Sequence, residues 1–489
     1  MRDFILEIEN KFPVDQWKVN EIHLWPIIRI KLFFYLINKI DIKNNSKAVD
    51  RDLNHFKKKS KYHIIKRKTK NYIKKIIGFL NFLSWYFQLT KCKYLFVGSD
   101  SHRVNHKNKR YNRFFDPLIQ LNNLENSYMY FEYGIEKDLA DYRYKNIRFH
   151  EPQFNKLKIY VKLKSKKYKI HLNQYEDFIL FLKGSNITKD FADKNSKKQF
   201  KHWVNSIFIP KYIFSKIVLN RIKAKQIHFL CYYSEFNYAL IAAAKKLNIK
   251  TVEMQHGPQT SIHLAYGSWS RVPKNGYSTL PQEFWSWDKI SANVIKCWIK
   301  NNEHHKVRVV GHPWVDYWRI DNFQDKRFIL YSLQPNPPSF EELFSKPILN
   351  LITQTKEPWL IRLHPRQLDS YDKIEELLRK NKIYTKSNLY IASHEPLPEL
   401  LKKTKLHLTH FSGTTIEAAM FDVQTVLLHK IGLKSFPELI AQNKAFFLDS
   451  SEPNFHHQFI SILKAQERNK KHKNTYYCKK YNFKNLFKF

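Results

Sequence analysis

The chain has 489 residues, 43% of them hydrophobic, and its 85 Lys and Arg outweigh 43 Asp and Glu for a net charge of +42. The length exceeds what one ordinary core fills and calls for two or three domains; the apolar fraction excludes a disordered chain. The charge favours anionic partners, whether nucleic acid, anionic lipid or phosphorylated substrates, without choosing among them.

The cysteines, Cys92, Cys231, Cys297 and Cys478, are widely spaced and form no C-x-x-C pair. This speaks against a disulfide framework or structural zinc and fits a reducing cytoplasm. The opening MRDFILEIENKFP carries acidic residues and lacks a secretory pattern. No stretch reaches the ~18 uncharged apolar residues of a spanning helix.

Residues 1–90 read as a basic helical region. Two of its segments, residues 23–40 (HLWPIIRIKLFFYLINKI) and 76–89 (IIGFLNFLSWYFQL), are apolar with basic flanks. Each fits either a core helix or an interfacial helix on an anionic leaflet. The run Lys57–Lys75 is the densest charge block, suiting a solvated helix face or a surface facing polyanions or membrane.

From residue 93 the pattern becomes that of a parallel sheet. KYLFVGSDSHR is a strand ending in a polar loop; QIHFLCYY, an Ala-rich helix over residues 234–247 and IKTVEMQHG form a βαβ unit; KVRVVG is a further strand ending at His312-Pro313. A second series follows a boundary near residues 311–326. Its predicted strands are RFILYS, PWLIRLHP, NLYIASHEP (388–396), KLHLTH and TVLLHK, with a helix after the loop at residues 410–415. The expected organisation is residues 1–90, a first Rossmann-like acceptor domain over 91–315, a second Rossmann-like nucleotide-sugar domain over 316–450, and a basic aromatic helix or tail over 451–489 that adds to membrane attachment. The fold class is α/β, with a cleft between the two domains where strand carboxyl ends face a ligand.

Chemistry-bearing residues gather at those strand ends. Glycine numbers only 10, and three, Gly257, Gly311 and Gly413, sit in strand-end loops. His410-Phe411-Ser412-Gly413-Thr414-Thr415-Ile416-Glu417 runs from strand through a hydroxyl-rich loop into a helix. It suits a phosphate, or else a plain N-cap. Glu417 is placed to hold a ribose hydroxyl or to complement the helix dipole. Arg362-Leu363-His364-Pro365-Arg366 puts two arginines and a histidine at one strand end, donors matched to phosphate. Gln255-His256-Gly257-Pro258 ends a strand of the first domain. His256 is the best single candidate for a general base, because its ordinary pKa lies near operating pH; a structural histidine is the alternative. His312 with Asp316 marks the interdomain hinge. Asp100, in the loop Gly98–His102, and Glu235 are alternative bases or acceptor-side residues. The one D-x-D, Asp50-Arg51-Asp52, follows no apolar strand, so no metal site is expected. Neither G-x-x-x-x-G-K-[ST] nor G-x-G-x-x-G occurs.

Taken together, Gln255-His256-Gly257, Val310-Gly311-His312-Pro313 with Asp316, Leu363-His364-Pro365, and Phe411-Ser412-Gly413-Thr414-Thr415 with Glu417 resemble the motifs of GT-B glycosyltransferases of bacterial capsule and lipopolysaccharide assembly. The set is similar to bacterial sialyltransferases, Kdo transferases and CDP-glycerol glycerophosphotransferases, over roughly residues 226–432. The resemblance implies a GT-B, metal-independent transferase without a cofactor. It implies that Arg362, His364, Pro365, Arg366, Ser412, Gly413, Thr414, Thr415 and Glu417 form the nucleotide site, that the donor is a CMP- or UDP-linked sugar, and that His256 faces the cleft. The acceptor would be a saccharide, lipid-linked, reached from the inner face of the cell membrane by a peripheral, cytoplasmic enzyme. A CDP-glycerol or ribitol phosphotransferase and a two-domain nucleotide-sugar epimerase share this form. A nucleic-acid-binding protein is the farther alternative; the charge is spread along the chain and no recognised nucleic-acid motif occurs.

Overall fold

The computed structural model describes residues 1–44, 64–134, 136–164, 168–300, 302–318, 326–335, 338–384, 388–468, 483 and 486–487. The Asp50-Arg51-Asp52 triplet, the side chains of the basic run and most of the C-terminal tail lie outside them.

The first sheet comprises β1 (Tyr94–Gly98), β2 (Tyr128–Glu132), β3 (Ile147–Phe149), β4 (Gln226–Phe229), β5 (Lys250–Met254), β6 (Glu283–Ser286) and β7 (Lys306–Val309). All pairings are parallel and the order is β3-β2-β1-β4-β5-β6-β7. The central strands are buried on both faces, as Leu95, Phe96 and Val97 illustrate, which explains their continuous apolar runs. The second sheet comprises β8 (Phe328–Ser332), β9 (Trp359–Arg362), β10 (Thr404–Thr409), β11 (Thr425–Leu427) and β12 (Ala445–Phe447), again all parallel, in the order β9-β8-β10-β11-β12. These are the two doubly wound orders, and each reverses direction at one point: between β1 and β4, and between β8 and β10. The expected α/β class, with two Rossmann-like domains facing a cleft, is what the chain adopts.

The N-terminal region contributes α1 (Arg2–Lys11), α2 (Trp25–Asn44) and α3 (Ile64–Phe87), with short antiparallel strands at Lys18–Val19, Ile22–His23 and Ile170–His171. Of the two readings open for residues 23–40, the structure adopts the core helix: Trp25, Ile27, Ile28, Ile30, Leu32, Phe33 and Leu36 are buried. A buried ion pair locks this region to the first domain. Arg29 Nε donates to Glu9 Oε1 at 2.7 Å with both side chains fully enclosed. Glu9 also accepts from Trp25 Nε1 (2.9 Å) and Ser270 N (2.8 Å), and Arg29 reaches the carbonyls of Leu264 and Ser268. Residues 76–89 differ: Phe82 and Leu89 are buried, yet Ile76, Leu80 and Phe87 are 55%, 56% and 65% exposed.

One sequence expectation is overturned. Residues 388–396 were expected to form a strand; the structure has α-helix over Leu389–His394. Leu389 and Ala392 are buried while Tyr390 and Ile391 are exposed, a helical spacing, and Asn388 Oδ1 caps the helix by accepting from Ile391 N at 3.1 Å. The chain also ends differently from a free tail. The helix Phe455–Arg468 packs Phe455, Phe459 and Leu463 into the second domain. Phe483 and Phe487 then return to the first: Phe487 stacks edge-on with Tyr94 at 4.9 Å, and its carbonyl accepts from Tyr94 Oη at 2.9 Å. Among the described residues no helix is long and apolar enough to cross a membrane.

Candidate functional site

The strand-end motifs of both sheets converge where the domains meet. On the first domain, Cys231 follows β4 with φ of +67°, a left-handed conformation rare for a side-chain-bearing residue. The helix α4 (Glu235–Lys246) begins just after it, with Ser234 Oγ accepting from Asn237 N at 3.1 Å. From β5, Glu253 projects fully buried and accepts from Tyr266 Oη (2.9 Å) and Tyr232 N (3.1 Å). His256 Nδ1 lies 3.5 Å from Glu253 Oε1. Burial alone would lower the His256 pKa. Hydrogen bonds to Cys231 and Glu253, with the Glu253 carboxylate beside the ring, outweigh it and raise the value to about 10. Burial raises Glu253 as well, against its hydrogen bonds, so the pair retains a proton at neutral pH. An ordinary pKa is what recommends His256 as a base from its residue type; beside Glu253 the imidazolium is the favoured form.

The other first-domain candidates have structural partners. Gln255 Nε2 donates to Gly257 O (3.0 Å) and Ser291 Oγ (3.1 Å), and its Oε1 accepts from Trp287 N (2.7 Å), so the residue latches its own loop. Glu235 pairs with Lys31 (2.9 Å) and Lys211 (3.0 Å), tying α2 to α4. Burial raises the Asp100 pKa, but Lys137 and Arg110 more than offset this and hold the carboxyl below its ordinary range. Asp316 lies in the short helix Pro313–Trp318.

His312 joins the two domains. Its buried ring stacks on Trp287 at 4.1 Å and Phe114 at 5.7 Å, and its Nε2 lies 3.6 Å from Glu417 Oε1 of the second domain. A second junction is steric: a Cβ on Gly413 would lie 2.7 Å from Pro258 Cδ, so the loop Ser412–Thr415 and the loop after His256 fit only with glycine there.

On the second domain, Arg362 Nη1 donates to the carbonyls of Ala392 and Glu395 (2.8 Å to the latter) at the end of the misread helix. Burial and the neighbouring Arg113 lower Arg362 to about 10. His364 Nδ1 accepts from Arg366 N at 3.1 Å, starting the 3-10 turn Pro365–Ser370. Burial, with Arg366, Arg113 and Arg362 nearby, lowers its pKa to about 4. The ring is therefore neutral, with its proton on Nε2 as a donor. Pro365 and Arg366 are exposed. Ser412 Oγ and Thr414 Oγ1 bond each other at 2.8 Å. Thr415 is fully buried and donates from Oγ1 to Ser412 O at 2.8 Å, holding the loop rather than facing a ligand.

Sequence reasoning missed Arg113, Glu253 and Cys231. Arg113 lies near His312, Arg362, His364 and Glu417, close enough for its charge to act on each. A cavity of about 370 Å³ between the domains is lined in part by Thr260, Trp269, Ile290, Ile416 and Phe436, and none of the cluster residues lines it. Among the described residues no group of three or more His, Cys, Asp or Glu converges as a metal site.

No family model and no curated protein sequence matches the chain. Among solved structures it is similar to the S. aureus MnaA–UDP co-structure (15% identity, 78% of this chain and 89% of that chain, TM-score 0.44). It is likewise similar to UDP-GlcNAc 2-epimerase from Neisseria meningitidis bound to UDP-GlcNAc (15%, 77% and 92%, 0.44) and to Acinetobacter baumannii MurG (10%, 77% and 91%, 0.38).

Proposed function

We propose that this protein is a glycosyltransferase that moves a sugar from a nucleotide sugar to a saccharide acceptor in cell-surface polysaccharide synthesis. The observation that carries the reading is the cluster at the cleft. Arg113 from the first domain and Arg362 and His364 from the second approach one region, with the Glu417 carboxylate acting on both arginines, and the loop that carries His256 meets the second domain at Gly413. Such a surplus of donors and positive charge suits the phosphates of a CMP- or UDP-linked donor and the charge that develops on them as the sugar departs. In this reading Arg362 and the Nε2–H of His364 hold phosphate, while Ser412 and Thr414 offer hydroxyls. Glu417, fixed by His312, faces the ribose. No metal is required for the charge balance.

His256 is the proton-transfer residue in this proposal. As imidazolium it stabilises the departing phosphate. Once deprotonated it is a base strengthened by Glu253 beneath it, much as a carboxylate supports the histidine of a triad. The acceptor is lipid-linked and the enzyme is peripheral to the inner membrane face; the exposed apolar residues Ile76, Leu80 and Phe87 of α3, on a chain of net charge +42, support that part.

Thermal unfolding in the presence of CMP, CDP, UDP, UDP-sugars or GDP tests the reading. A ligand at about 100 times its Kd stabilises the fold by about 2.7 kcal/mol. One nucleotide class is expected to raise the Tm, and His364→Ala to abolish that shift. Absence of any shift at millimolar nucleotide overturns the proposal.

A further inference from the structure

Arg113 has the surroundings of a residue kept for a ligand. It follows the antiparallel pair Arg103–His106 and Lys109–Asn112, and the turn that carries it is tied down on both sides. Asn112 Oδ1 accepts from Phe114 N (3.1 Å) and Phe115 N (3.0 Å). Asp116 Oδ2 accepts from Asn112 N (2.9 Å), and Asp116 Oδ1 accepts from Tyr130 Oη (2.5 Å). The backbone is thus fixed, yet the guanidinium makes no hydrogen bond or ion pair among the described residues. Its Nε is fully enclosed without an acceptor, and its own neighbour Phe114 offers a ring face at 5.0 Å.

An enclosed donor of a charged group left without an acceptor is costly. The Glu417 carboxylate is the charge that favours the Arg113 cation, while Arg113 in turn disfavours the cation of Arg362. Glu417 acts on both arginines, but its carboxylate already faces His312. Glu395 also acts on Arg362 but lies 3.8 Å from Lys403, so the two arginines share one carboxylate, Glu417, and a phosphate makes up the difference. The planar fork of a guanidinium matches two phosphate oxygens at once.

We propose that Arg113 is a phosphate-binding residue that holds, from the first domain, the same donor phosphate that Arg362 and His364 hold from the second. This rests on the nucleotide-sugar reading above and adds to it a bridge: the ligand's charge joins two domains whose arginines otherwise repel.

The test uses the full chain, its Arg113→Met and Arg113→Lys variants, and calorimetric titration with UDP, CDP, CMP, uridine and cytidine, alongside ligand-free thermal unfolding. For whichever nucleotide the natural protein binds, Arg113→Met is expected to weaken binding roughly ten- to hundred-fold, and Arg113→Lys less. Affinity for the matching nucleoside should not change. The ligand-free Tm should hold or rise, because repulsion with Arg362 is relieved. Nucleotide affinity unchanged in Arg113→Met overturns the assignment and leaves the nucleotide-sugar reading standing. A lowered Tm with parallel losses for nucleotide and nucleoside overturns it in favour of a structural role. A natural protein that binds none of the three nucleotides overturns both.

Discussion

Gly413→Ala tests whether the two domains meet as described. Gly413 has φ of −58° and ψ of −18°, a conformation any residue adopts, so the backbone does not object to alanine. At such a position the substitution should stabilise by about 0.4–1 kcal/mol through the unfolded chain. The contact decides otherwise. The new Cβ would sit 2.7 Å from Pro258 Cδ and 2.8 Å from its Cγ, against about 3.5–4.0 Å for relaxed carbon atoms. The proline ring cannot swing aside, so one loop must retreat by about 1 Å, an overpacking cost of about 1–3 kcal/mol. The net expectation is a loss of about 1–2 kcal/mol, read by urea denaturation. Pro258→Ala removes both clashing atoms. The double variant should therefore recover the loss, with a coupling energy of about 1–3 kcal/mol between the two sites. If Gly413→Ala is as stable as the natural chain, or if the two changes add within about 0.5 kcal/mol, the loops do not touch and the two domains do not meet at this point.

Three further outcomes follow from the geometry. His256 is raised from an ordinary value of about 6.5 to about 10; its stabilisation is full below about 6.5 and fades as pH climbs through 10. The stability difference between the natural chain and His256→Gln should accordingly shrink between those limits, and a difference that grows with pH refutes the pairing. Glu9→Ala leaves Arg29 buried and unpaired, a loss of about 3–5 kcal/mol, seen as a lowered denaturation midpoint; a cost below about 1 kcal/mol contradicts the buried pair. Ile76→Asp with Leu80→Asp should abolish co-sedimentation with phosphatidylserine vesicles without lowering the Tm, and unchanged vesicle binding excludes α3 as the membrane face.

Much of the fold was legible because its signals are local. Buried parallel strands read as short apolar runs, and the loops after them stand out when glycine is scarce, so Gln255–Pro258, Arg362–Arg366 and His410–Glu417 were found without the structure. The strands Tyr128–Glu132 and Glu283–Ser286 were passed over: short and aromatic, they resemble any core segment. Residues 388–396 misled because a six-residue helix with every third residue buried mimics a strand at that length. Arg113 was one basic residue among 85; the flanking Asn112 and Asp116 are the sole local sign that its turn is built.

From the residues alone come the two-domain α/β architecture, the strand-end loops that the domains bring together, and the expectation of anionic ligands. These follow from hydrophobic patterning, turn chemistry and charge, which act over a few neighbours. Tertiary structure decided the rest: which apolar helix is core and which has an exposed face, that Glu235 and Gln255 are spent on structure, that Glu253 raises His256, and that the charge of Arg113 reaches Arg362 in the other domain. Those depend on burial and on the close approach of side chains from separate domains, where a few ångströms set the strength of a charge and the fit of a glycine.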